Sequence, residues 1–120
     1  MKDSTNAPRQ SPFACEMSAI KAEQRQPHLA NAKELFAHVA EIRELDNGFS
    51  FRLNDSPDLL RKLGEFIALE RLCCPFFGFA IEVEPEGSAV WLKLSGRQGV
   101  KPFIQAEIGE FFRPAVWPEK

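Results

Sequence analysis

Cysteine is the residue type in this sequence with the most distinctive chemistry, and two of its three copies are adjacent. Cys73 and Cys74 lie in the stretch ERLCCPFFGF, and Cys15 lies near the start of the chain. Thiolates are the ligands that soft ions such as Hg(II), As(III), Cu(I) and Zn(II) accept readily. The three cysteines therefore predict a binding module for a thiophilic metal ion, with Cys15, Cys73 and Cys74 as the ligands.

The oxidation state of these cysteines follows from their number and from the chain start. The opening stretch MKDSTNAPRQSP is polar and does not resemble a signal peptide, so the expected location is the cytoplasm. An odd number of cysteines there favours reduced thiols over a disulfide framework. A bond between Cys73 and Cys74 is also disfavoured, because successive Cα atoms lie about 3.8 Å apart and disulfides usually span roughly 4.4–6.8 Å.

Charged residues near the cysteine pair are candidates for a supporting role. Glu70 precedes the pair by one helical turn and falls on an apolar stripe, where a carboxylate is costly unless it is paired. The expected partner is Arg25, Arg43 or Arg52, and the alternative is a carboxylate at the edge of the stripe that reaches solvent. Arg71 is the nearest cation and offsets the negative partial charge of the helix end.

Two further hypotheses compete with the metal module. In the first, the cysteines are buried and inert, and the chain is a structural or interaction domain that forms a homodimer. In the second, the protein is an enzyme in which Cys73 or Cys74 is the nucleophile, His28 the base and Glu70 the orienting group. Nothing in the sequence brings these three groups together, so an enzyme is the less favoured prediction, and no cofactor other than a metal ion is expected.

Length and charge narrow the class of protein. A chain of 120 residues fits one domain, with residues 1–12 as a flexible tail and residues 13–120 as a single α+β domain. The formal net charge of -2 argues against a nucleic-acid partner, and the sequence has no apolar run long enough to cross a membrane.

Hydrophobic periodicity predicts the order helix, hairpin, helix, hairpin, helix. Pro27 is expected to divide the first helical region into a short and a longer helix. Asn47-Gly48 predicts a hairpin turn with positive φ angles. The second helix is expected to begin with Ser56 as its cap and Pro57 in its first turn, and to end before Pro75.

The second hairpin alternates apolar and polar residues, so one face of the sheet must be covered. Phe77, Phe79, Ile81 and Val83 share a face, and Val90, Leu92 and Leu94 alternate in the same way after the turn. We therefore expect a four-stranded, mostly antiparallel sheet built from two hairpins, with the helices packed on one face, in the order α-ββ-α-ββ-α.

The stretch from ERLCCPFFGF to GRQGVKPFI resembles a group of small bacterial proteins marked by an E-R-x-C-C-P-F motif, and the likeness extends back to FAC and EQRQPH. The residues that carry it are Cys15, Arg25, His28, Glu70, Arg71, Cys73, Cys74, Pro75 and Phe76. No established activity comes with this group. Similar modules occur alongside heavy-metal-responsive regulators, so the resemblance implies a thiophilic metal role.

Overall fold

The computed structural model describes residues 11–109 and Trp117, and its elements follow the predicted order. The helices are α1 (Ala22–Ala37), α2 (Leu59–Cys73) and α3 (Val100–Ile108), and the strands are β1 (Val39–Leu45), β2 (Gly48–Leu53), β3 (Gly78–Val83) and β4 (Val90–Ser95). Most of the predicted tail, residues 1–12, lies outside the described residues. Among the helices described, none combines the length and apolar character that crossing a membrane requires.

The four strands form one antiparallel sheet in the order β1-β2-β4-β3. Each hairpin pairs its own two strands, and β2 pairs with β4 to join the hairpins side by side. Cross-strand neighbours on one face are apolar along whole rows: Ile42, Phe51, Leu92 and Ile81 form one row, and Val39, Leu53, Val90 and Val83 form another. The predicted α+β class and two-hairpin sheet are confirmed.

Helices cover this apolar face, and phenylalanine rings fill the space between the layers. Phe36 of α1 lies 5.5 Å from Phe51 of β2, measured between ring centroids, and Phe66 of α2 lies 6.4 Å from Phe79 of β3. Ile104 of α3 is completely buried in the same core. Phenylalanine has no polar group that needs water, so these rings can be enclosed without an unpaired donor.

Helix α1 runs without interruption through Pro27, so the prediction of two helices is wrong. Proline removes the N–H that would bond to the carbonyl of Glu23 four residues earlier. Both Glu23 and Pro27 are exposed, and the Glu23 carbonyl can therefore bond to water instead.

Helix α2 begins two residues later than expected, with Asp58 rather than Ser56 at the position before its first residue. Ser56 accepts a backbone hydrogen bond from Leu59 (3.1 Å) in a turn that leads into the helix. The side chain of Asp58 makes no capping hydrogen bond, and Ser56, the predicted cap, lies two residues further from the helix.

Gly48 is required for a reason that the sequence did not indicate. Among the described residues only Glu86, Gly87 and Gly99 have positive φ, so the predicted positive angles at Asn47 and Gly48 are not observed. A Cβ atom at Gly48 would overlap the carbonyl oxygen of Leu94 on the neighbouring strand and lie 2.8 Å from the Ser95 Cα. The glycine therefore permits the close approach of β2 and β4.

Candidate functional site

The two adjacent cysteines converge because α2 ends between them. Cys73 is the last residue of the helix, and Cys74 has left the helical conformation (φ -128°, ψ 70°), as expected for a residue that precedes a proline. Their Sγ atoms lie 3.6 Å apart, and both side chains are buried. In a continuous helix the two side chains would diverge by about 100°, and one would face the core more than the other. Because Cys74 lies outside the helix, both are buried to nearly the same degree.

Cys15 reaches the pair from the N-terminal segment, which lies along the end of α2. The N–H of Glu16 donates to the carbonyl of Cys73 (2.8 Å), and the ring of Phe13 packs edge-on against that of Phe76, with centroids 5.2 Å apart. Cys15 and Cys74 form a disulfide, with Cα atoms 4.8 Å apart, and Cys73 is the free cysteine.

The disulfide overturns the prediction that all three cysteines are free thiols. An odd number of cysteines excludes only the pairing of every cysteine. Three cysteines can still form one disulfide and leave one free thiol, as they do here. The sequence predicted that Cys15 meets the pair, but it could not indicate that a disulfide joins Cys15 to Cys74, 59 positions away. A disulfide sulfur has no thiolate to offer an ion, so the three-sulfur donor set exists only in the reduced chain.

The buried partner of Glu70 is a histidine rather than an arginine. Nε2 of His28, on α1, lies 2.8 Å from Oε1 of Glu70, and the Glu70 side chain is only 14% exposed. The imidazole ring stacks on the ring of Phe66, with centroids 5.6 Å apart. A carboxylate accepts hydrogen bonds, so Nε2 is the nitrogen that donates. The other nitrogen, Nδ1, is buried without a partner among the described residues.

Glu70 also links this histidine to the sulfurs. The Cys73 thiol donates to Oε1 of Glu70 (3.7 Å), and the Sγ of Cys74 lies 3.4 Å from Oε2. Burial raises the pKa of the Cys73 thiol to about 12, and the negative charge of Glu70 adds to this increase. Cys73 therefore carries its proton at neutral pH until an ion displaces it.

Four potential ligands surround one point. One donor atom from each of Cys15, Glu70, Cys73 and Cys74 can be chosen so that all four lie within 4.8 Å of one another. The remaining predicted supporting residues lie apart from this group: Nε of Arg25 donates to the carbonyl of Ile20 (2.9 Å), and Arg71 is exposed on α2.

A cavity of about 280 Å³ adjoins the cluster. Its polar lining consists of Cys15, His28, Glu70, Cys73 and Glu107, whereas Cys74 is not among the lining residues. The remaining lining is apolar and comes from the N-terminal segment and all three helices: Met17, Leu29, Ala32, Phe36, Phe66 and Ile108.

The contacts among Cys73, Glu70 and His28 do not match the enzyme hypothesis, in which a cysteine is the nucleophile and a histidine is its base. The hypothesis needs His28 between the thiol and Glu70, but Glu70 contacts both the thiol and the imidazole. The raised pKa of Cys73 also keeps that sulfur out of the reactive thiolate form. The described geometry therefore does not form the order of groups that a cysteine nucleophile with a histidine base requires.

Some members of this site gave no signal in the sequence. Met17, Glu107 and Ile108 reach the cavity only because the N-terminal segment and α3 pack beside the end of α2. Glu70 and His28 were singled out from their positions, but their mutual contact spans 42 residues and depends on the packing of α1 against α2.

Comparison of the chain with protein-family models, with curated proteins and with solved structures finds no match. The resemblance to the E-R-x-C-C-P-F proteins therefore stays a prediction.

Proposed function

We propose that the reduced protein binds one thiophilic metal ion through the sulfurs of Cys15, Cys73 and Cys74. The observation that supports this most directly is the closeness of the four donor atoms, which come from two distant parts of the chain. The proposal also needs a compartment that keeps thiols reduced, and the cytoplasm expected from the sequence is one.

One sulfur separation in the structure is close to that required by such an ion. With metal–sulfur bonds near 2.3 Å, two sulfurs on one ion lie roughly 3.8–4.0 Å apart in tetrahedral or trigonal geometry. The 3.6 Å between the Cys73 and Cys74 sulfurs is close to that separation. Reduction frees Cys15 from Cys74, and its sulfur can then move away to become the third ligand.

Glu70 and His28 serve the ion in different ways. A carboxylate oxygen of Glu70 is the fourth donor available to ions that prefer four ligands, such as Zn(II). His28 holds that carboxylate by its Nε2 hydrogen bond and thereby orients it toward the sulfurs. Ions that are satisfied by three sulfurs, such as As(III), leave Glu70 as a neighbour only.

The test is a titration of the fully reduced protein without oxygen, after treatment with a phosphine, which brings no competing thiol. Hg(II), As(III), Cu(I) and Zn(II) are added in turn, and the remaining free thiols are counted with a chromogenic thiol reagent in the native protein, beside a metal-free sample. We expect one ion per chain and protection of three thiols. Serine at Cys15, Cys73 or Cys74 is expected to lower affinity by at least about tenfold.

Leu72→Ser provides the matched control, because Leu72 precedes the pair on the same helix but is 43% exposed. This variant is expected to bind as the unaltered protein does. The proposal is wrong if none of the four ions protects thiols at micromolar concentration, or if the three serine variants bind like the control.

The alternative function, a homodimeric interaction domain, is supported by one separate observation. Strand β3 lies at an edge of the sheet, and its residues Ile81 and Val83 are 37% and 55% exposed on the otherwise covered face. Pairing of two β3 edges would bury them. Sedimentation equilibrium tests this: a dimer that Val83→Lys dissociates would support the alternative, and a monomer at high micromolar concentration would exclude it.

A further inference from the structure

The cavity beside the cysteines has two of the three sulfurs in its lining. Cys15 and Cys73 line it, whereas Cys74 is completely buried and is not part of the lining. After the Cys15–Cys74 disulfide is reduced, a ligand that enters from this cavity meets two thiols first. The cavity therefore gives access to two sulfurs, whereas the ion site proposed above uses all three.

The rest of the lining is suited to an uncharged organic group. The side chains of Ala32, Phe36, Phe66 and Ile108 are buried and form an apolar part of the lining. A cavity of about 150 Å³ with a similar aliphatic and aromatic lining is large enough to take up benzene. The volume of about 280 Å³ is therefore sufficient for one aromatic ring together with a heavy atom bonded to it.

The charges of the lining favour a neutral group over an anionic one. Glu70 and Glu107 both line the cavity, and Lys and Arg are not among the lining residues that the structure describes. A carboxylate on the organic group would be repelled by two like charges in a partly enclosed space.

We propose that the reduced protein binds mono-organo-substituted arsenic(III), with the arsenic bonded to Cys15 and Cys73 and an apolar organic group in the cavity. The inference rests on the proposed function, because it uses two of the same thiols. It goes further in naming a class of ligand, R–As(III) with R neutral and apolar, and in making Cys74 dispensable for that class.

The binding reaction is a condensation without a change in oxidation state. With phenylarsine oxide, two S–H bonds and the arsenic–oxygen double bond break, and two arsenic–sulfur bonds form. The oxygen takes both protons and leaves as water, and arsenic stays in the +3 state. A reductant is needed only beforehand, because the Cys15–Cys74 disulfide must accept two electrons and two protons to free Cys15.

The experiment compares four probes on the phosphine-reduced full chain: arsenite, methylarsonous acid, phenylarsine oxide and its para-carboxyphenyl analogue. Binding is measured for each probe by isothermal titration calorimetry. We expect the phenyl compound to bind at least about tenfold more tightly than the methyl compound, because the ring is buried. The carboxyphenyl analogue is expected to lose most of that gain.

Variants separate the cavity from the thiols. Cys74→Ser is expected to bind phenylarsine oxide within about threefold of the unaltered protein but to lose arsenite, whereas Cys15→Ser and Cys73→Ser lose both. Ala32→Leu, which fills part of the cavity, is expected to weaken phenyl binding about tenfold and to leave arsenite unchanged. The probe series on the unaltered chain does not depend on the folding of any variant.

The outcomes distinguish the two proposals. Equal affinity for the phenyl and methyl compounds, or loss of phenylarsine oxide binding in Cys74→Ser, would overturn this inference even if arsenite binds normally. Binding of phenylarsine oxide without any binding of inorganic ions would support it and contradict the three-sulfur site.

Discussion

Cys73 is a buried thiol whose acidity is weakened by its surroundings. Its pKa is raised from an ordinary value of 9.0 to about 12, by burial first and by the carboxylate of Glu70 second. Alkylating reagents attack the thiolate, so the reactive fraction at pH 8 is smaller by about three orders of magnitude than in an unfolded chain.

We therefore expect alkylation of Cys73 by iodoacetamide at pH 8 to be at least about 100-fold slower in the native protein than in urea. Because the native pKa is raised, the native rate should keep increasing with pH beyond 9, whereas the rate in urea should level off there. Mass spectrometry of the modified peptide measures both rates. Equal rates in the two states would show that Cys73 is neither buried nor beside a negative charge.

The sequence identified the cysteines and Glu70 as a cluster, but it did not indicate how these residues pair. The residue types at positions 15, 73 and 74 were sufficient to nominate a sulfur cluster, and proximity of the three is observed. The partner of Glu70 was misassigned to an arginine, since charge alone suggests the strongest cation. Its contact with His28 depends on how α1 lies against α2, which periodicity within each helix does not determine.

Two glycines of the described chain differ in whether their backbone conformation requires glycine. Gly64 lies inside α2 with no atom within 4 Å of a Cβ placed there, whereas Gly99 precedes α3 with φ of 99° and such a Cβ would lie 2.9 Å from the ring of Phe13. Glycine in a helix interior is unfavourable compared with alanine, but it is the favoured residue at positive φ.

Gly64→Ala is expected to raise the free energy of unfolding by about 0.5–1 kcal/mol, and Gly99→Ala to lower it by about 1–2 kcal/mol. Urea denaturation monitored by circular dichroism measures both changes. The pair is its own control, because the two substitutions add the same methyl group. Changes of the same sign would contradict the backbone angle assigned to Gly99.

The turn between β3 and β4 contains a residue in an unfavourable conformation. Glu86 has φ of 64°, a region that asparagine tolerates better than glutamate. Glu86→Asn is expected to raise the free energy of unfolding by about 0.5 kcal/mol, again by urea denaturation. Glu86→Ala removes the charge but keeps the unfavourable angle, so a gain of equal size in that variant would point to electrostatics instead.

Elements with a strong repeating pattern were predicted well, and local exceptions were not. The alternation in the second hairpin predicted the observed shared face, and Pro75 marked the end of α2. Pro27 was wrongly predicted to divide the first helix. The free-energy cost of a proline inside a helix is reduced where the unpaired carbonyl can bond to water. Gly48 is required because β4 lies so close to it, and the residues next to Gly48 in the sequence carry no information about β4.

The disulfide is the feature that most affects the molecule as a whole, since it joins positions 59 residues apart. Closing a loop of that length restricts the unfolded chain, and reduction is expected to lower the free energy of unfolding by about 2–4 kcal/mol. Urea denaturation with and without a phosphine measures this loss. Cys73→Ser keeps the disulfide and should show the same loss, and an unchanged midpoint on reduction would show that the bond does not form in solution.

The cavity beside the cysteines draws its lining from Met17 near one end of the described chain and from Ile108 near the other. During synthesis the N-terminal residues leave the ribosome first, so Cys15 is exposed before α3 has been made. A nascent polypeptide shorter than this span has thiols but no enclosed space around them. The enclosed space can therefore form only after the residues of α3 have been synthesised and have packed beside the end of α2.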